Sequence, residues 1–468
     1  MDQTKFNKQF ILGITLVSAM GGLLFGYDWV VIGGAKPFYE RFFDISTSPY
    51  LQGWAMSSAL IGCLVGAMAS GYLADRYGRK RPLIAAAALF TIAALGTGAA
   101  NEFTVFIIFR LIGGLGIGLA SAISPMYIAE ISPSKMRGRL VSVNQLTIVI
   151  GILAAQIINY LIAQKVPEGM SDSMILQSWN GQTGWRWMFW AGTVPALMFF
   201  LFSFFIPESP RFLAKSGNWN SAAKILERIG GSKYAIQEQK DIAETLEGAS
   251  SRIDWKALSS KKVRPVLILG IVLAVFQQWC GINTVFNYAE EIFTAAGYGV
   301  SDTLFNIVIT GSVNLIFTLV AMFTVDKWGR KKLMLFGSVG LAVTYILLGS
   351  AFYFQLKGIA VLSLVVVAIG IYAMSLAPIV WVILSEIFPN RVRGAAMAIS
   401  TFALWIACFI LTYTFPLLNK GLGAAGTFWV YAGICILGFI FVLKKLPETK
   451  GKSLEEIEKM ITPNSEGK

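Results

Sequence analysis

Twelve apolar stretches divide this sequence, near residues 10–33, 51–73, 82–100, 103–125, 139–163 and 186–206, then 264–292, 303–325, 332–354, 359–384, 394–418 and 424–445. Each is close to the ~20 residues that a helix needs to cross the hydrocarbon core of a bilayer. Only 14% of residues are charged and 55% are hydrophobic, against about a quarter charged in soluble domains. Too little polar surface remains to cover a water-soluble fold, so the chain reads as an all-α membrane protein with twelve transmembrane helices.

The spans fall into two sets of six around a polar segment. This gives an N-terminal half at 1–207, a hydrophilic linker at 208–262 with helical stretches such as NWNSAAKILERIGG, a C-terminal half at 263–446 and a tail at 447–468. The halves repeat each other. DRYGRKR at 75–81 recurs as DKWGRKK at 326–332, EISPSKMRG at 130–138 as EIFPNRVRG at 386–394, and PES at 207–209 as PET at 447–449. Parallel repeats of this kind place a transporter's substrate site at mid-membrane between halves that rock around it.

A net charge of +13 would suggest nucleic acid as partner in a soluble protein. Here the basic residues crowd into short loops, where they set topology. With both termini and the linker on one side, that side holds all Lys and Arg except Lys36, Arg41, Lys165, Lys357 and Lys420, which face the other side, and Arg110 and Arg186, which lie in or beside spans. The basic side is therefore expected to be cytoplasmic, with the first span serving as an uncleaved signal. Cys63, Cys280, Cys408 and Cys435 all sit in apolar runs without metal-ligand spacing and read as buried thiols. There is no nucleophile elbow, no metal cluster and no histidine. An enzyme is not expected, nor a cofactor, and any proton must be handled by carboxylates, lysine, tyrosine or cysteine.

Two charges interrupt apolar runs: Asp28 in LLFGYDWVVIGG and Arg110 in IIFRLIGGLG. Either alone would be costly in the membrane, and pairing offsets both costs. Burial favours the neutral form of a carboxyl and a neighbouring guanidinium favours the ionised form. A pair whose separation changes can therefore take up and release a proton. Polar amides cluster in QQWCGINTVFNY at 277–288, where Gln277, Gly281, Thr284 and Tyr288 share one helical face and Gly281 permits a bend. Amides both donate and accept, which suits sugar hydroxyls. In the basic loops, Asp75, Arg79, Glu130 and Arg137 can pair in the first half, and Asp326, Arg330, Glu386 and Arg393 in the second. Gly62–Gly66 and Gly114–Gly118 have the GxxxG spacing of close helix contacts.

These residues carry a resemblance. DRYGRKR, EISPSKMRGRL, PESPRFL, QQWCGINTVFNY, DKWGRKK, SEIFPNRVRG and PETKG, in this order from Gly22 to about Glu458, resemble the sugar porter family of the major facilitator superfamily, and most of all its bacterial xylose and other sugar–proton symporters. The resemblance implies sugar binding by Gln277, Gln278 and Asn283, joined by Gln145 and Asn314, with Trp381, Trp405, Tyr288 and Phe25 as aromatic walls. It implies a cytoplasmic gate of the loop charges above with Glu208 and Glu448, and proton coupling through Asp28 and Arg110, since facilitative relatives have Asn where this chain has Asp28. The expected function is proton-coupled symport of a neutral monosaccharide, a pentose or hexose with D-xylose first. It would act in the bacterial inner membrane as a monomer in the lipid bilayer, with no nucleic-acid partner and the proton as coupling ion. A facilitative uniporter is the alternative and a sugar sensor a remote one. Three pocket positions depart from the pattern: Ile152 in place of a Gln, Asn287–Tyr288 in place of a Tyr pair, and Leu404 in place of an amide. They leave the sugar open.

Overall fold

The computed structural model describes residues 6–134, 136–167, 169–247, 258, 260, 263–388 and 392–450. Linker residues 248–257, the tail beyond Lys450 and the side chains of Asp326 and Arg393 lie outside the described residues. Five helices open the chain: α1 (Lys8–Phe42), α2 (Pro49–Tyr77), α3 (Lys80–Ala99), α4 (Phe103–Ile131) and α5 (Arg137–Ile162). A short α6 (Asp172–Gln177) and a π-helical turn (Asn180–Gly184) lead into α7 (Trp185–Ala191) and α8 (Thr193–Ser203), which share the sixth crossing. The linker forms α9 (Pro210–Lys215) and α10 (Trp219–Glu247). The seventh crossing comes in pieces, α11 (Arg264–Trp279), α12 (Ile282–Asn287) and α13 (Ala289–Ala295). Then follow α14 (Val300–Trp328), α15 (Arg330–Tyr353), a tenth crossing shared by α16 (Ile359–Met374) and α17 (Leu376–Ile387), and α18 (Arg393–Lys445).

Ten of the described helical stretches are individually long and apolar enough to span a membrane. The difference from twelve has two sources. The sixth crossing is divided between α7 and α8, and α18 contains both final crossings, joined where Gly423 leaves helical geometry with φ 68° and ψ 172°. Leu161, Phe205, Phe323 and Ile359 are largely exposed, which is tenable only with lipid against them.

The described residues form two compact units, and these cut across the sequence halves. The first takes the described residues within Met1–Trp29, Ile61–Ala155 and Arg186–Arg252; the second takes those within Val30–Leu60, Gln156–Trp185 and Ile253–Lys468. In the first unit the two GxxxG pairs meet each other. A Cβ on Gly62 would lie 2.2 Å from the Leu111 carbonyl oxygen, and one on Gly66 3.1 Å from Gly118 Cα. Only glycine allows α2 and α4 this approach. The described part of the linker belongs here too: Ile229 of α10 is buried with Ile11, Ala19, Ile128 and Leu140, and Tyr234 meets Phe6 edge-on at 5.4 Å.

In the second unit, the later parts of α1 and α5 pack with C-terminal elements. Asn159 donates to the Val31 carbonyl at 3.0 Å, the Val166 N–H donates to Ser301 Oγ at 3.0 Å, and the Tyr160 and Phe305 rings are 5.7 Å apart. The first helix runs nine residues beyond its expected end at 33, through Phe42, with Pro37 inside it. Lys36, expected in a loop, is thereby carried into the interior and is 2% exposed. All four cysteines are buried free thiols.

Candidate functional site

In the first unit, Asp28 on α1 and Arg110 on α4 form the expected pair. Arg110 Nη1 donates to both Asp28 oxygens at 2.9 Å, with the guanidinium side chain 3% exposed and the carboxylate 18%. Gly113, one turn beyond Arg110, lies against the carboxylate: a Cβ there would sit 3.7 Å from Asp28 Oδ2. Arg110 Nε is buried without a hydrogen bond. The pair is thus supported mainly by itself, and losing either partner strands the other. Phe25 lies three residues before Asp28 and meets Trp29 edge-on at 5.7 Å. Gln145 is exposed on α5.

In the second unit the expected sugar residues gather around a broken helix. The shared face of Gln277, Gly281, Thr284 and Tyr288 is interrupted at Gly281, the residue expected to permit a bend, whose φ of 89° ends α11 before α12 begins. Left-handed geometry favours glycine, and a Cβ there would also fall 2.6 Å from the Tyr431 ring. Gln277 Nε2 donates to the carbonyls of Leu376 at 3.2 Å and Ala377 at 3.1 Å, while its Oε1 stays buried without a hydrogen bond. The second helix break, at Ser375 between α16 and α17, supplies these carbonyls. Asn283 Nδ2 donates to Gln278 Oε1 and reaches Cys408 Sγ at 3.8 Å.

The aromatic expectations divide. Trp381 is 40% exposed and presents its ring, whereas Trp405 is 5% exposed and Asn314 is buried beside the core. Tyr288 is fully buried, so it forms no open wall here: its hydroxyl donates to the Thr412 carbonyl at 2.6 Å and its ring lies 4.5 Å from that of Phe415. Gln156, one turn beyond Ile152, was not anticipated. It is 2% exposed and neither of its amide atoms has a hydrogen bond. Its signal was the helical spacing from Gln145, on the face where the resemblance expected a second amide.

The basic loops form two knots that match bond for bond. In the first, Arg79 Nη2 donates to Glu130 Oε1 at 2.8 Å, Ser209 Oγ to Glu130 Oε2 at 2.5 Å, and the Arg79 N–H to Glu208 Oε1 at 2.8 Å. In the second, Arg330 Nη2 donates to Glu386 Oε1 at 2.9 Å, Thr449 Oγ1 to Glu386 Oε2 at 2.6 Å, and the Arg330 N–H to Glu448 Oε1 at 2.9 Å. Two expected members differ. Asp75 pairs with Lys215 at 2.9 Å on the surface, and Arg137 is exposed. Asp75 sits where α9 passes, so the linker lysine reaches it.

One charged cluster escaped the sequence reading. Buried Lys36 on α1 faces three carboxylates: Glu291 at 2.5 Å, Glu40 at 3.3 Å and Glu290 at 3.5 Å. Its visible trace is the i, i+4 pair in KPFYE, which lies just beyond the span expected to end at 33.

A bundle of apolar helices, a repeated six-helix pattern, an ion pair within the spans and amides at helix breaks define a multi-pass membrane carrier of the major facilitator type. It is not an enzyme. The Sugar (and other) transporter profile matches residues 14–461, and the chain belongs to that family. It is 39% identical to the D-xylose-proton symporter of Escherichia coli (strain K12), covering 99% of this chain and 98% of that one. It is 41% identical to the arabinose-proton symporter of Bacillus subtilis (strain 168), covering 96% and 95%. Its structure resembles the inward open conformation of the E. coli xylose transporter XylE with a TM-score of 0.84, at 38% identity and covering 96% and 99% of the two chains.

Proposed function

We propose that this protein is a proton-coupled symporter of a neutral monosaccharide, a pentose or hexose with D-xylose the first candidate. It works by alternating access as a monomer in a bacterial inner membrane, with both termini cytoplasmic. The observation that carries the reading is the two-oxygen bond between Asp28 and Arg110 inside the membrane spans. The relatives named as proton symporters support it. The ionised carboxylate is held by the guanidinium. A proton arriving at Asp28 removes one charge of the pair, loosens the bond and lets the loaded carrier reorient; on the other side the proton leaves and the bond re-forms. No cofactor enters, and the proton is the coupling ion.

The sugar residues are Gln145, Gln277, Gln278, Asn283 and Asn314, with Trp381, Trp405, Tyr288 and Phe25 as the aromatic set. Amides serve a ligand whose hydroxyls donate and accept, and rings serve its C–H faces. The free Oε1 of Gln277 is an acceptor waiting for a hydroxyl. The charged knots form the cytoplasmic gate, with Asp75, Arg137, Asp326 and Arg393 as further gate charges beside them. Networks that form in one state and break in another bias the equilibrium between states.

Asp28→Asn tests the coupling. In proteoliposomes the variant should bind D-xylose and exchange it by counterflow, yet fail to concentrate it under a proton gradient. Uphill D-xylose accumulation with external alkalinisation by Asp28→Asn would remove Asp28 from the mechanism. Absence of alkalinisation on D-xylose addition to the unaltered protein would make the protein a uniporter.

A further inference from the structure

The Lys36 cluster contains more negative charge than its surroundings can hold. One ammonium meets three carboxylates within 3.5 Å. The side chains are 2% exposed for Lys36, 7% for Glu40, 13% for Glu290 and 19% for Glu291. Fully ionised, the group would carry two uncompensated negative charges in a site largely shut off from water, which burial penalises steeply.

The other groups nearby do not supply the missing charge. Gln52 Nε2 donates to Glu40 Oε2 at 2.9 Å and Thr294 Oγ1 to Glu290 Oε1 at 3.3 Å, but both are neutral. Tyr39 turns its hydroxyl to Met56 Sδ, and Tyr288, whose ring lies 5.8 Å from Lys36 Nζ, gives its hydroxyl to Thr412. Arg41 is engaged by Asp172 and the Pro37 carbonyl. Lys357 packs its side chain at Gly297, at the far end of α13, and Asp302 at the start of α14 is exposed. The start of α13 favours its two glutamates as anions, but this partial charge does not offset two full ones.

A second observation is independent of the charge count. Oε2 of Glu291 is buried without a hydrogen bond, while Oε1 of Glu40, nine-tenths buried, faces the Lys36 ammonium at 3.3 Å. A proton on Glu291 turns an orphaned acceptor into a donor, and a proton on either carboxyl lowers the net charge.

We propose that Lys36, Glu40, Glu290 and Glu291 form a proton-binding site separate from Asp28 and Arg110. It retains one proton, shared among the three carboxyls, while α1 and α13 are joined. The proton leaves to solvent when the two helices part and the carboxylates hydrate. The site lies at the end of the spans away from the basic loops, the outer end in the orientation proposed above. The joined state binds one proton more than the parted state. Acid therefore favours joining, and the joined-to-parted ratio rises by at most about tenfold for each unit that pH falls. The site sets how external pH acts on closure and carries no proton across by itself.

The test is a distance measurement between spin labels at Thr47→Cys and Ala295→Cys, in the full chain carrying Asp28→Asn and held in lipid nanodiscs from pH 5.5 to 8.5. Both positions are exposed, while the native cysteines are buried. Asp28→Asn silences the other titrating pair. The share of short distances should grow severalfold per unit of falling pH. Glu40→Gln and Glu291→Gln, made separately so that one folding failure does not end the test, should each keep the helices joined with a flat pH profile. Lys36→Met should part them at neutral pH and rejoin them only in acid. A flat profile with all four residues intact, or an unchanged slope in both glutamine variants, overturns the proposal. The readout uses no sugar and no transport, so its failure is distinct from failure of the symport reading.

Discussion

At the scale of single residues, charge in an apolar run was the most readable signal. Asp28 and Arg110 stood out because nothing polar surrounds them in sequence, and the structure joins them at 2.9 Å. Lys36 was invisible for the complementary reason: it lies among residues polar enough to look like a loop, and its burial depends on α13, 250-odd positions away. The same holds for Tyr288, whose type suits a sugar wall but whose hydroxyl is claimed by a carbonyl on α18. Two substitutions follow from these geometries. Arg110→Leu leaves a carboxylate stranded near the core, which costs about 3–5 kcal/mol. Its melting temperature should fall clearly below that of the unaltered protein, and Asp28→Asn added to it should restore part of the loss. Equal melting of single and double variants would mean that the pair does not stabilise the fold. Gln277→Ala removes the free acceptor and the tie to Leu376 and Ala377. A net hydrogen bond is worth about 1 kcal/mol, so D-xylose should bind roughly fivefold more weakly by calorimetry. An unchanged Kd would take Gln277 out of the sugar set.

At the scale of elements, the existence of the spans was legible, and of their interruptions only the bend at Gly281. Hydropathy fixes which stretches enter the membrane, because the ~20-residue length is imposed by lipid. Breaks at Gly281 and Ser375 are instead set by what the helix meets, here the Tyr431 ring and the amide of Gln277. The extension of α1 to Phe42 is likewise a tertiary effect, since Lys36 finds its carboxylates only there. The GxxxG pairs were readable because small residues at helical spacing have one main use in an apolar span. Their role is open to a controlled comparison within α2. Gly62→Ala puts a methyl 2.2 Å from the Leu111 carbonyl oxygen, whereas Gly71→Ala meets nothing within 4 Å. The first should destabilise by about 1–3 kcal/mol through overpacking, and the second should be neutral or gain up to about 1 kcal/mol from the better helix former. Thermal unfolding of both in the same lipid decides it. Similar melting temperatures would deny the close contact of α2 with α4.

At the scale of the whole molecule, the internal repeat proved to be a repeat of bonds as well as letters. The motif spacing announced six-helix halves, and each half ties its basic loop with the same arginine, two glutamates and one hydroxyl. The partition into compact units was not legible, because the repeat describes chain order while compactness follows contacts such as those of α1 and α5 in the second unit. Equivalence of the knots makes a quantitative claim. Glu208 accepts the N–H groups of Arg79 and Lys80 at the start of α3, and Glu448 accepts those of Arg330 and Lys331 at the start of α15. In each knot a glycine with positive φ, 83° at Gly78 and 89° at Gly329, keeps the turn clear for the carboxylate. An anion capping a helix start contributes about 1 kcal/mol. Glu208→Gln and Glu448→Gln should therefore lower thermal stability by similar amounts. The two residues share no bonding partner and lie in different units, so the double variant should lose their sum within about 0.5 kcal/mol. A loss confined to one knot would show that the repeated sequence is maintained in the two halves for different reasons. A double loss well short of the sum would show that both glutamates act on one shared equilibrium, in which case the gate, more than local capping, accounts for the conserved bond pattern between the halves.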